Sequence, residues 1–151
     1  MKLSTSLIAA AWLLLQFHAP SAEPNKPDGG NYAYAERILC TLATVESGGD
    51  PSAYNPSEDA AGIFQIRPIY VRDVNRIVGR AEFTLEDRWD VGRSTEMVAV
   101  YLSHYVTPSR LGREPTIEDF ARVHNGGPNG FRKAATDAYA AKFMQVWNNE
   151  D

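Results

Sequence analysis

The chain has 151 residues, 44% hydrophobic and 23% charged, which is the balance of one globular domain with a real core. Its formal net charge is −4, and no Lys/Arg run interrupts the acidity, so nucleic acid is disfavoured as a partner. A single cysteine, Cys40, excludes an intramolecular disulfide and a cysteine metal cluster.

In chain order, residues 1–22, "MKLSTSLIAAAWLLLQFHAPSA", carry one lysine, an apolar block from Leu7 to Leu15 and a tail of small residues. This is the shape of a secretory signal peptide, and its apolar block is short of the ~20 residues of a membrane-spanning helix. The expectation is an exported protein, periplasmic or extracellular, with no stable membrane span after cleavage. Cleavage would remove Lys2 and no acid, leaving 14 basic against 19 acidic groups, net −5. Residues 23–30, "EPNKPDGG", read as a Pro/Gly linker, and residues 31–151 as the folded domain.

The first helix is expected from about Tyr32 to Ser47, with Asn31 as its N-cap. Ala35, Leu39, Leu42 and Glu46 share one stripe at helical spacing, widened by Ile38 and Val45. Cys40 reads as a small core residue of the same helix. Gly48 and Gly49 end it. Residues 50–61 form a turn-rich loop with Pro51 and Pro56 and room for a short strand pair. Further helices are expected over Pro68–Val78, stopped by Gly79; over about Trp89–Val106; and from Thr116, where Thr116 and Asp119 suit a capping box, to Asn125-Gly126-Gly127. A last helix spans about Thr136–Trp147, with Tyr139, Phe143, Val146 and Trp147 facing inward. The sum is a mainly α single domain with little or no β-sheet.

The chemistry narrows quickly. His18, His104 and His124 are scattered and no HExxH spacing exists, so no metal is implied. There is no G-x-S-x-G elbow and no phosphate loop, and Cys40 lies mid-helix. Carboxylates remain. Glu46 closes a stripe that faces the interior and stands at a helix C-terminus, and both features penalise a charged carboxylate in general. That is the setting of a general acid. The plainer alternative is an exposed glutamate at a fraying helix end.

Taken together, Glu46-Ser47, Pro51, Ala53, Gly62-Ile63-Phe64-Gln65 with Pro68 three residues on, Tyr101-Leu102 and Val123-His124-Asn125-Gly126-Gly127 resemble, in order, the catalytic region of the soluble-lytic-transglycosylase type of lysozyme-like enzymes, related in fold to goose-type lysozymes. The likeness runs from about residue 36 to 130. It departs at His124, where the family has tyrosine, at Asp59, where a glycine is usual, and in the long polar loop 50–61. The resemblance implies a lysozyme-like fold and a substrate of peptidoglycan glycan strands. It implies no cofactor and says nothing of oligomeric state. Glu46 would protonate the oxygen between N-acetylmuramic acid and N-acetylglucosamine, then take the proton of the sugar's own 6-hydroxyl to leave a 1,6-anhydro end. A hydrolytic muramidase would add a second carboxylate, with Asp59 the first candidate and Glu58 and Asp50 behind it. Ser47 would orient Glu46 or bond substrate, and Gln65 would bond an acetamido group. Tyr101 would pack on a sugar or bond Glu46. His124 and Asn125 would line the cleft. Chitin is a neighbouring substrate, and a non-catalytic glycan-binding or wall-assembly protein is the competing class. Trp89 reads as either a sugar platform or core.

Overall fold

A computed structural model describes residues 29–149, so the expected signal peptide and residues 23–28 of the linker lie outside the described residues. The elements are α1 (Gly29–Ser47), β1 (Tyr54–Asn55), β2 (Ala60–Ala61), α2 (Pro68–Val78), α3 (Val91–Tyr105), α4 (Pro108–Leu111), α5 (Ile117–Gly126) and α6 (Asp137–Asn149), with 3-10 turns at Glu86–Arg88, Gly130–Arg132 and Ala134–Thr136. The expected mainly α domain is what the chain forms.

The apolar stripes meet in one core. Ile38 and Leu42 of α1, Val74 of α2, Val98 and Leu102 of α3, Val123 of α5 and Phe143 of α6 are fully buried. Truncating one of the larger ones, such as Leu102→Ala, costs about 2–5 kcal/mol in this kind of setting. α6 packs on α1 and α5, and α2 packs on α3. The last helix thereby reaches back to the first, which places α6 beside the C-terminus of α1.

The helix ends follow the sequence closely. Proline opens α2, and Gly79 closes it in the left-handed region, at φ 74°. Asp90 caps α3 by accepting the Arg93 N–H at 2.8 Å, so α3 starts just after Trp89 rather than at it. Thr116 and Asp119 form the expected capping box at α5. Burial pushes the Asp119 carboxyl up, but the Arg113 fork at 2.6 and 2.8 Å and the Thr116 donors outweigh it and hold the group below the usual carboxylate range. Ser94 and Thr95, both buried in α3, return their hydroxyls to the Val91 carbonyl, so neither is left unsatisfied.

Two local expectations are corrected. α1 begins at Gly29, so Asn31 lies inside its first turn instead of capping it; the two glycines accept helical dihedrals as readily as extended ones. Cys40 is exposed, because Glu36, Cys40 and Thr44 form the outward i, i+4 stripe of α1, opposite Ile38, Leu42 and Val45.

The strand pair expected in the loop exists as a minimal hairpin, β1 antiparallel to β2 with Tyr54 opposite Ala61. Arg88 fastens it to the helical body. This arginine is 6% exposed, and it donates to the Asp59 carbonyl at 2.7 Å, the Leu85 carbonyl at 2.8 Å and the Ile66 carbonyl at 3.3 Å.

Candidate active site

The site is assembled from the end of α1, the loop after β2, Tyr70 of α2, His124 and Asn125 of α5, and Tyr139 of α6. α1 stops at Gly48 and Gly49, whose N–H groups return to the carbonyls of Thr44 and Ala43. Glu46 therefore sits in the last turn of a well-terminated helix. Ser47 donates its hydroxyl to the Ile63 carbonyl at 2.8 Å, tying the end of α1 to the loop after β2. Ser47 acts here as a brace between two walls and does not line either cavity of the groove.

That loop, Gly62-Ile63-Phe64-Gln65, is closed by reciprocal backbone bonds between Ala61 and Ile66 at 3.1 and 3.0 Å. Gly62 is obligatory at its corner. Its φ is +75°, and a Cβ there would stand 1.9 Å from the Arg88 carbonyl oxygen. Gln65 is held in the left-handed region at φ 48°, a conformation that costs a non-glycine residue about 1 kcal/mol. Its amide group offsets this by donating to the Ala53 and Gly62 carbonyls, both at 3.0 Å. Strain of this kind gathers where a side chain must be aimed.

Glu46 is only slightly open to solvent, its side chain 16% exposed. The Tyr139 hydroxyl of α6 donates to its Oε1 at 2.7 Å. His124 Nε2 of α5, itself buried, lies 3.4 Å from the same oxygen. The other ring nitrogen of His124 meets the Tyr70 hydroxyl of α2 at 3.4 Å. Lys142 of α6 donates to the Val45 carbonyl at 2.6 Å, which locks the two helices together at this level. Burial first, and then the nearby Glu46 charge, raises the Tyr139 phenol far above its ordinary range. Burial also raises Tyr70 well above its ordinary value, helped by Tyr101 and Glu46. Both rings therefore stay protonated, and Tyr139 keeps acting as the donor to Glu46.

Two cavities open along this wall. One of ≈ 320 Å³ contains Glu46, Glu58, Gln65 and Asn55. A larger one of ≈ 730 Å³ contains Asp73, Tyr101 and Gly127. Arg67, Tyr70, His124 and Asn125 line both, so the two form one continuous groove suited to a linear polymer. Tyr101 stacks on Tyr70 with centroids 4.0 Å apart, and the phenol bonded to Glu46 belongs to Tyr139 and not to Tyr101.

The carboxylates of the hairpin are placed differently. Asp59, at φ 49°, accepts from the Tyr54 hydroxyl at 3.2 Å and from Arg88 at 3.3 Å, and it is absent from the lining of the Glu46 cavity. Glu58 does line that cavity, 4.0 Å from Arg67. Asp50 is bonded to Ser52 within its own turn. Trp89 is 37% exposed and touches the Tyr54 ring at 5.8 Å, so it belongs to the surface.

Of the residues singled out in the sequence, Glu46, Gln65, His124 and Asn125 converge on one cavity, and Tyr101 lies in the adjoining one. Tyr70 and Tyr139 were missed as site residues. The available signal was their type. A tyrosine on a core-facing stripe carries a hydroxyl that needs a partner, and phenylalanine does not.

Residues 24–148 match the family model described as the transglycosylase SLT domain, and the chain belongs to that family. It is 29% identical over 121 residues to Lysozyme 1 of Crassostrea virginica, covering 77% of this chain and 63% of that protein. To a lysozyme of Magallana gigas it is 30% identical over 109 residues, covering 71% of this chain and 76% of that one. The crystal structure of Tapes japonica lysozyme superimposes with a TM-score of 0.57 at 26% identity, covering 74% of this chain and 86% of the other. The lysozyme-like transglycosylase family expected from the motifs is the family found.

Proposed function

We propose that the protein cleaves the β-1,4 bond between N-acetylmuramic acid and N-acetylglucosamine in peptidoglycan as a lytic transglycosylase, with Glu46 as its general acid and base. The observation that carries this reading is the position of Glu46. It is a nearly enclosed carboxyl on the floor of a groove, its Oε1 held by a phenol that stays protonated. With Oε1 fixed by Tyr139, Oε2 is the oxygen left to handle the substrate proton. Glu46 gives its proton to the bridging oxygen, the leaving sugar departs with that oxygen, and positive charge develops at the muramoyl anomeric carbon. The sugar's 6-hydroxyl oxygen then bonds to that carbon while its proton passes to the Glu46 carboxylate. The acid is regenerated and no water is consumed. The Tyr139 bond strengthens while Glu46 is charged, because bonds to ionised acceptors are the stronger kind. Gln65 and Asn125 line the groove where acetamido groups would pass, and His124 forms its wall.

This one-carboxylate cycle suits a site in which Asp59 is turned toward Tyr54 and Arg88. The second reading is a hydrolytic muramidase. It is favoured by relatives named lysozymes and by Glu58, which shares the cavity with Glu46. An inverting hydrolase would hold its two carboxyls roughly 6.5–9.5 Å apart to admit water. Export follows from the same reading, since residues 1–22 have the form of a signal peptide and the substrate lies outside the cytoplasmic membrane.

Mass spectrometry of digested peptidoglycan tests both readings. Anhydro-muramoyl ends are expected, and reducing ends would turn the assignment to hydrolysis. Absence of any cleavage by a folded protein would leave the non-catalytic binding class.

A further inference from the structure

Of the large hydrophobic side chains exposed among the described residues, Tyr54 stands on β1, and Leu85 and Trp89 flank the Glu86–Arg88 turn. The Tyr54 and Trp89 rings touch, with centroids 5.8 Å apart and planes tilted by 43°. Single exposed apolar residues are ordinary, but a contacting aromatic pair on a braced scaffold is not. The brace is Arg88, the residue before Trp89. Its buried guanidinium grips the hairpin through the Asp59 carbonyl and the turn through the Leu85 carbonyl. The Trp89 backbone is seated against Gly62, where an added Cβ would come within 3.6 Å of the Trp89 Cα. The Tyr54 hydroxyl is fixed by Asp59. The two rings are thereby held in place yet open to solvent. None of Tyr54, Leu85 and Trp89 lines either cavity of the groove. Asn55, the next residue of β1, does line the Glu46 cavity, and successive strand residues point to opposite faces. The aromatic pair therefore occupies the back of the hairpin wall.

The polar groups around the pair specify a ligand. Tyr54 and Arg88 both bond Oδ1 of Asp59, whose side chain is about half exposed, so Oδ2 is left to accept from a hydroxyl. The Trp89 indole N–H has no acceptor among the described residues. Arg88 is spent on carbonyls, and Arg93 is paired with Glu82, Asp87 and Glu96. An anionic lipid surface or an acidic polymer would meet the carboxylates of Asp59 and Asp90 there instead of a free cation. A pyranose ring fits. Its C–H face stacks on an aromatic ring, and its hydroxyls donate to a carboxylate and accept from an indole N–H. The distance between the ring centroids is on the scale of one pyranose unit, so neighbouring sugars of one strand can each cover a ring. Taking the protein's action on peptidoglycan as given, we propose that Tyr54 and Trp89 form a second, non-catalytic glycan site on the back of the hairpin. It binds the uncharged sugar faces of a strand other than the one being cleaved. In an insoluble mesh, that second attachment raises the effective concentration of strand at the groove.

Retention of the Glu46→Gln protein on insoluble peptidoglycan tests the site without turnover. Trp89→Ala in that background should weaken retention about five- to tenfold, and Trp89→Phe should keep most of it. The part lost should be the same at about 50 and 300 mM salt, because no ion pair is involved. Tyr34→Ala is the control, since Tyr34 is similarly exposed but belongs to α1 and packs on Trp147. In the active protein, Trp89→Ala should lower the rate on insoluble wall about threefold or more beyond any loss on short soluble strands. A nuclear magnetic resonance titration reads the site directly. The Trp89 indole N–H signal of the Glu46→Gln protein, assigned by its loss in Trp89→Phe, should shift when a soluble β-1,4-linked N-acetylglucosamine oligomer is added. Unchanged retention in Trp89→Ala, an indole signal that does not move, or equal losses on both substrates would overturn the second site. So would a change of oligomeric mass in Trp89→Ala, which would assign the pair to a contact between copies. Each of these outcomes leaves the cleavage reading standing. If the wild type cleaves nothing, the cleavage reading fails, and the retention and indole measurements still decide the second site.

Discussion

The floor of the groove and its hairpin wall treat carboxylates in opposite ways. On the floor, Glu46 is nearly enclosed and meets a phenol and an imidazole. On the hairpin, Asp59 and Glu58 are about half exposed, with side-chain exposures of 48% and 56%, and both face arginines. Glu46 is bounded by side chains from α5 and α6 that leave its second oxygen facing the groove without a permanent cation beside it. Asp59 is instead tied to the Arg88 anchor of the hairpin, while Glu58 stands at the rim of the Glu46 cavity beside Arg67. The two regions lie close in sequence and differ in what surrounds them, so a count of acids near a groove would not tell them apart.

That contrast can be broken at its strongest point first. Glu46→Gln should reduce the release of cleavage products by about 10²–10⁴, the usual contribution of a general acid, with thermal stability preserved. A loss below tenfold in the folded variant would remove Glu46 from the chemistry. On the hairpin, Arg88→Ala should act on stability instead. It strips donors from the carbonyls of Asp59, Ile66 and Leu85, and it should lower unfolding free energy by about 3 kcal/mol in denaturant titrations. A variant as stable as the parent would show that the hairpin does not depend on this anchor. Tyr139→Phe removes one hydrogen bond to Glu46 while keeping the ring. Activity should drop about tenfold, with little change in melting temperature. Asp59→Asn is the mildest. Asparagine also accepts a positive φ, and turnover should change less than about threefold if one carboxylate suffices. A hundredfold loss there would favour the muramidase reading.

The helical body was open to sequence reasoning because its signals are local. The run Pro68–Val78 with Gly79 behind it and the Thr116/Asp119 box each declare a helix within a few residues, and the structure agrees. Glu46, Gln65, His124 and Asn125 were readable through the order and spacing of short motifs. Tyr70 and Tyr139 were not, because helical periodicity records only that a ring faces inward and not which polar atom its hydroxyl will meet. The Arg88 anchor was hidden for a related reason. An arginine in "DRWD" reads as a helix-cap or ion-pair residue until the chain brings Asp59 and Ile66 to it from 29 and 22 positions away. Cys40 shows the converse error, since an apolar residue in an amphipathic helix was assigned to the wrong stripe.

The bond between Tyr139 and Glu46 joins positions 93 residues apart, from the last helix to the first. During synthesis the α1 segment is made long before its phenol partner exists. A nascent or prematurely terminated polypeptide lacking α6 would hold the acid without its clamp, and without the Lys142 latch that seats α6 against α1. Assembly of the Glu46 clamp is thereby tied to synthesis of the chain through α6, a form of timing written into connectivity alone.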